Sequence, residues 1–136
     1  QKAAAARAAV ADIAVKQQVW DAVLRDTSIP NDTRWAMVSG FWAQARTNPE
    51  MYVPVVADYF DSLQQIWRDH TFHIAEDIVT LMFPKALAGY VEGLDLVAQG
   101  TRWIQSHQDA SAALIRLLRE QISTTERMLG AQAADA

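Results

Sequence analysis

The side chains of this chain that have metal-ligand character fall in one short stretch: His70, His73, Glu76 and Asp77. On a helix, His73 and Asp77 share a face at i, i+4, and His70 joins them one turn earlier if the helix begins early. Such a set could hold a divalent ion. The pattern nevertheless departs from H-E-x-x-H, in which two histidines at i, i+4 hold zinc and the intervening glutamate acts as base. It reads instead as the first turn of a helix with solvated polar side chains. Nucleophilic chemistry has no setting either. The sequence contains no G-x-S-x-G elbow, no phosphate-cradling P-loop and no cysteine, and no two carboxylates stand in obviously different environments. His107 lies alone in a polar link. No residue is therefore assigned a catalytic, cofactor-binding or metal-binding role.

Aromatic side chains could line a ligand groove, and Trp35, Trp42, Tyr59, Phe60 and Trp67 are the candidates. Aromatic residues at helical spacing more often form core, and that is the expectation for these five. The arginines, from Arg7 through Arg34 and Arg46 to Arg127, are spread along the chain and read mostly as surface charges, with Glu120 at i+4 from Arg116.

The element that must position everything else is Thr33 to Ala45. Trp35, Val38, Trp42 and Ala45 form one stripe, with Met37 and Phe41 as an i, i+4 pair beside it. A segment this apolar around most of its circumference belongs between other helices. Gly40 costs about 1 kcal/mol against alanine in a helix, so its presence predicts a neighbour that approaches closely.

Upstream, the alanine-rich segment Lys2 to Ile13 predicts a helix whose large apolar contacts are Val10 and Ile13. Val15, Val19, Trp20, Val23 and Leu24 predict a second, with Asn31 or Asp32 capping the central one. The abrupt Gln-Lys start predicts a chain cut from something longer. Downstream, Asn48-Pro49-Glu50 is a helix start. Tyr52, Val55, Val56, Tyr59, Phe60, Leu63, Ile66 and Trp67 then recur at helical spacing for about four turns. Pro54 predicts that the first turn is irregular or that the helix begins a few residues late. Thr71 is expected to cap a fifth helix that Pro84 stops. Val91, Leu94, Val97, Ala98, Thr101 and Ile104 mark a sixth. Asp109 is expected to cap a seventh carrying Ile115, Leu118, Ile122, Thr125 and Leu129, with fraying beyond Gly130. The fold class is all-α: about seven helices as antiparallel helical hairpins in one domain over residues 1–136.

Composition limits the partners. The 136 residues carry 12 basic and 16 acidic side chains, a formal charge of −4, with the signs interspersed. Without a basic stripe, nucleic acid is not an expected partner. No apolar run approaches the about 18 residues that span a bilayer, so no membrane is expected. The absence of cysteine fits a reducing compartment, and the expected location is the cytoplasm.

Ser28 to Trp42, S-I-P-N-D-T-R-W-A-M-V-S-G-F-W, followed by Tyr59-Phe60, Ile66-Trp67 and L-M-F-P at Leu81 to Pro84, resembles the C-terminal, ERAP1-like helical domain of M1-family zinc aminopeptidases of the aminopeptidase N type. The resemblance covers about Lys16 to Pro84 and rests on packing residues. It implies a HEAT-like superhelical array that closes over a catalytic domain and walls a peptide-access chamber. The chain's partners are then the catalytic domain and upstream helices of the same polypeptide and the peptide substrates of the parent enzyme. Zinc belongs to the catalytic domain of that parent. Neither H-E-x-x-H nor the G-x-M-E-N segment that binds the substrate amine in the family occurs here, so the chain alone is expected to be inactive. An apolar patch is expected on the N-terminal helices where upstream helices were removed, with self-association as one way to bury it. Two alternatives remain open from the residues: a free-standing helical-repeat scaffold that binds a protein or peptide, and a bundle enzyme or metal carrier centred on His70 and His73.

Overall fold

A computed structural model describes residues 2–135, which form seven α-helices and no strand. They are α1 Lys2–Ala8, α2 Ile13–Arg25, α3 Asn31–Phe41, α4 Val53–Asp69, α5 Phe72–Leu81, α6 Leu96–Ser106 and α7 Ala112–Asp135. The all-α expectation holds, and several helix ends move.

The first helix stops at Ala8, well before the expected Ile13. Asp12 accepts from the amide of Val15 at 3.1 Å and starts α2, so side-chain capping outweighs the helix propensity of the alanines. Val10 and Ile13, expected as contacts, are 44% and 58% exposed on the intervening turn and its exit. In α3 the capping position belongs to Pro30. Asn31 and Asp32 fall inside the first turn, where an acid favours the helix dipole. The helix ends at Phe41 and tightens into a 3-10 turn, Trp42–Gln44. Its buried face runs through Arg34, Val38 and Phe41, rotated from the expected stripe, so Trp35 and Trp42 are only half-buried. Gly40 meets the predicted close neighbour: a Cβ there would lie 3.1 Å from the Cβ of Ala8 and 3.2 Å from the carbonyl carbon of Ala5 in α1.

Pro49–Tyr52 forms a separate 3-10 turn before α4, which places Pro54 at the second helical position, where no amide donor is needed. This is the late start that the proline predicts. The long stripe of α4 is buried from Val55 to Ile66. Thr71 occupies the N-cap of α5 without a side-chain bond, and Phe72 is exposed. The sixth helix begins at Leu96 rather than near Val91, because Gly93 takes a φ of 80° in the preceding turn and Asp95 caps the amide of Ala98 at 2.9 Å. Its buried face is Leu96, Gly100, Trp103 and Ile104, while Thr101 faces out. Asp109 lies in the turn before α7 rather than at its cap. That helix runs through Gly130 to Asp135, past the expected frayed end, and Gln132 Nε2 donates to Ala88 O at 3.1 Å.

Consecutive helices pack together in the pairs α1/α2, α2/α3, α4/α5 and α6/α7. The stack is continued by α1 on α3, α2 on α4 and α5 on α7. One continuous apolar core extends from Ala8 to Ile122. Across the α2–α4 seam, Asp58 accepts from Trp20 Nε1 at 2.7 Å and from Arg25 at 2.7 and 2.8 Å. Burial pushes the Asp58 carboxyl up, but the bonds from Arg25 and Trp20 outweigh it and hold the group below the usual carboxylate range. Among the described residues no helix is long and apolar enough to cross a membrane.

Candidate functional site

The histidine stretch is not assembled into a site. His70 ends α4, and its Nε2 lies 2.7 Å from Leu24 O, while His73 is exposed in the first turn of α5. Burial and the neighbouring Glu76 push the Asp77 carboxyl up, with His73 pulling the other way. Among the described residues no three His, Asp or Glu side chains are grouped to hold a metal ion. His107 is less isolated than the sequence suggests. It stacks on Trp103 at 4.0 Å and 8°, with Nδ1 2.8 Å from Trp103 O.

The five aromatic candidates divide. Tyr59 and Phe60 are core, in an edge-to-face pair at 5.2 Å, and the Tyr59 hydroxyl donates to Val79 O at 2.5 Å. Trp35 and Trp67 pack against the core from its edge. Trp42 and Phe60 each also line a groove, and the groove at Trp42 is built by the turn after α3, the Lys85–Leu87 turn after α5, and the far part of α7.

This groove, of about 460 Å³, is lined by Trp42, Ala45, Arg46, Lys85, Ala86, Tyr90, Met128 and Gln132, with Ala43 at its rim. Trp42 is fixed by its Nε1 donating to Leu81 O at 3.2 Å. Arg46 is exposed, with its guanidinium 5.8 Å from the centroid of Tyr90. Lys85 is half-buried and donates to Thr80 O at 2.9 Å and Gln121 Oε1 at 2.7 Å. Burial without a carboxylate partner brings its amine below the ordinary lysine value. No lining residue is acidic, so two cations stand uncompensated beside aromatic and aliphatic walls. The groove suits an anionic group attached to an apolar body. It offers no nucleophile paired with a base.

Two further cations are buried: Lys16, to which the sequence assigns no place, and Arg34, which it groups with arginines expected mostly at the surface. Lys16 is 1% exposed and donates to Ala8 O and Phe41 O, each at 2.6 Å, joining the ends of α1 and α3. It also lies 5.3 Å from the ring centroids of both Phe41 and Tyr52. Desolvation lowers its amine from 10.5 to about 8. Arg34 is 2% exposed and donates to Val23 O and, at 2.6 Å, to Asp26 O, closing the end of α2. Burial lowers its guanidinium value, with Asp26 opposing that effect. Both carry charge at helix C-termini, where the dipole favours it. The signal was present: Lys16, Val19, Trp20 and Val23, and likewise Arg34, Val38 and Phe41, step at helical spacing along buried faces.

Comparison with known proteins agrees with the helical architecture. The family model for the ERAP1-like C-terminal domain matches residues 1–127. The chain is also 31% identical over 134 residues to aminopeptidase N of Streptomyces lividans, an alignment covering 98% of this chain and 15% of that protein. The chain thus spans about a seventh of the length of the curated relative it matches.

Proposed function

The chain belongs to the ERAP1-like C-terminal domain family, and from that premise we propose that it is the non-catalytic helical lid of a zinc-dependent M1-type aminopeptidase, closing a peptide-access chamber over a catalytic domain. The observation that carries this reading is the near end-to-end match to a protein named aminopeptidase N in which the matching part is 15% of the length. Zinc, the scissile bond and the site for the substrate amine then lie on the rest of the parent polypeptide. This part shapes the chamber.

Two features support that division of labour. Val10 and Ile13, on the turn between α1 and α2 and at the start of α2, expose apolar surface that upstream helices of the same polypeptide can cover. The Arg46–Lys85 groove presents positive charge beside Trp42 and Tyr90. Every peptide carries a terminal carboxylate whatever its sequence, and an uncompensated cationic groove attracts it without reading side chains. The groove therefore acts on peptides as a class.

The test uses the intact parent enzyme with Arg46→Gln and Lys85→Gln together. The expected result is unchanged turnover of an aminoacyl anilide, which has no peptide carboxylate, and a KM for long peptides raised about three- to tenfold. Equal KM values for long peptides in variant and parent would remove the groove from the chamber wall. An intact reading frame without H-E-x-x-H would overturn the aminopeptidase reading itself.

A further inference from the structure

A second groove, of about 260 Å³, lies between α4 and α6, lined by Phe60 and Asp61 from the first and by Gln99, Arg102, Trp103 and Ser106 from the second. Its volume lies below the range of drug-sized pockets, so it suits a small molecule. The floor is fixed. Phe60 and Trp103 are 8% and 7% exposed, and the stacked imidazole of His107 backs the indole. Gly100 brings α6 so close to α7 that a Cβ there would lie 2.9 Å from Ile122.

The walls carry opposite charges that are not used. Asp61 and Arg102 are exposed, and neither makes an ion pair or hydrogen bond among the described residues, with each other or with any other group. Beside them, Gln99 Oε1 is buried without a hydrogen-bond partner. A buried amide oxygen left without a donor is destabilising, and rotation of the amide at the groove wall presents it to a donor on a ligand. A wholly anionic ligand would satisfy Arg102 and be repelled by Asp61; a wholly cationic one would do the reverse. A zwitterion answers both.

We infer that this groove binds a free α-amino acid with an apolar side chain. Its ammonium group lies between Asp61 and Gln99 Oε1, its carboxylate on Arg102, and its side chain on the Phe60–Trp103 floor. The inference does not depend on the lid reading. On that reading the ligand is the class of product that an aminopeptidase releases, and the site is a place for product feedback remote from the chemistry.

The experiment is a titration of the isotope-labelled chain with L-phenylalanine, followed through the Trp103 indole and Gln99 amide resonances. Saturable shifts at millimolar concentration are expected. L-phenylalaninamide, lacking the carboxylate, and 3-phenylpropionate, lacking the ammonium, should each bind at least tenfold more weakly. The dipeptide Gly-Phe, which holds its two charges farther apart, should also bind more weakly. Arg102→Gln should weaken binding at least tenfold, and Lys2→Gln, on the exposed side of α1, should leave it unchanged. Absence of saturable shifts overturns the inference, as does equal binding of either singly charged analogue. Tighter binding of the dipeptide would do the same, by assigning the groove to a peptide.

Discussion

Gly40→Ala and Gly130→Ala are the same substitution on two helices, and the structure gives them opposite signs. In a solvent-facing helix the change is stabilising by about 1 kcal/mol, because alanine has the better propensity and restricts the unfolded chain. Gly130 qualifies, since a Cβ there meets nothing within 4 Å. At Gly40 the new methyl would sit 3.2 Å from the Ala5 carbonyl carbon and inside contact distance of its oxygen, against an optimal carbon–carbon separation of about 3.5–4.0 Å. The obstacle is main chain, so α1 must retreat by about half an ångström or more. Overpacking of this kind costs about 1–3 kcal/mol. Retreat also stretches the 2.6 Å bond from Lys16 to Ala8 O and the Gln44 Nε2 bond to Ala9 O, which together hold the end of α1. Weakening them adds about 1 kcal/mol. Set against the propensity gain, Gly40→Ala is destabilising by about 1–3 kcal/mol, and Gly130→Ala is stabilising by about 1 kcal/mol. Urea denaturation measures both, and hydrogen exchange should show faster opening of residues 2–8 in Gly40→Ala alone. A Gly40→Ala chain as stable as the Gly130→Ala chain would refute the close approach of α1 to α3.

Lys16 gives a pH dependence of unusual sign. Its folded value of about 8 lies below the ordinary 10.5, so between those two pH values the unfolded chain binds more protons, and raising the pH stabilises the fold. Allowing for solvent screening, the gain is about 1–3 kcal/mol over the window, and urea midpoints at pH 7.5 and 9.5 should show it in the parent and not in Lys16→Met. A parent chain that loses stability over that range in parallel with Lys16→Met would exclude the buried amine as the cause. Arg34→Met leaves the carbonyls of Val23 and Asp26 without their donors and should be destabilising by about 2–4 kcal/mol, read from the same denaturation curves. A loss below about 0.5 kcal/mol would match an exposed arginine instead.

Much of the architecture was legible in the sequence because apolar spacing is local information. The long run from Tyr52 to Ile66, the late helix start at Pro54 and the close neighbour demanded by Gly40 all follow from residues a few positions apart. The structure departs from that local pattern where a longer-range or competing local term decides the outcome. Alanine propensity favoured a helix through Ile13, and the carboxylate of Asp12 ended it. Thr101 falls on the sixth apolar stripe by spacing, yet Trp103 takes the buried face, because α7 packs against Gly100 and rotates α6 around that contact. The grooves were harder still. Arg46 and Tyr90 lie far apart in sequence, as do Asp61 and Arg102, and helical periodicity carries no information about such pairings. The burial of Lys16 and Arg34 is not legible because a cation on an apolar stripe ordinarily reaches solvent, which is where the pattern puts Arg34.

The two buried cations have main-chain oxygens as their acceptors. A carboxylate partner can be lost by one substitution; a carbonyl is carried by whatever residue occupies the position. Ala8, Phe41, Val23 and Asp26 could all change type and still receive these bonds, provided that the three helices keep their lengths. The bonds themselves are therefore indifferent to residue type, although burial separately constrains Ala8, Val23 and Phe41, whereas a one-residue insertion or deletion near a helix end moves the oxygen out of reach. Lys16 and Arg34 act as gauges of helix length, and the tolerance they create has a sharp boundary set by chain register.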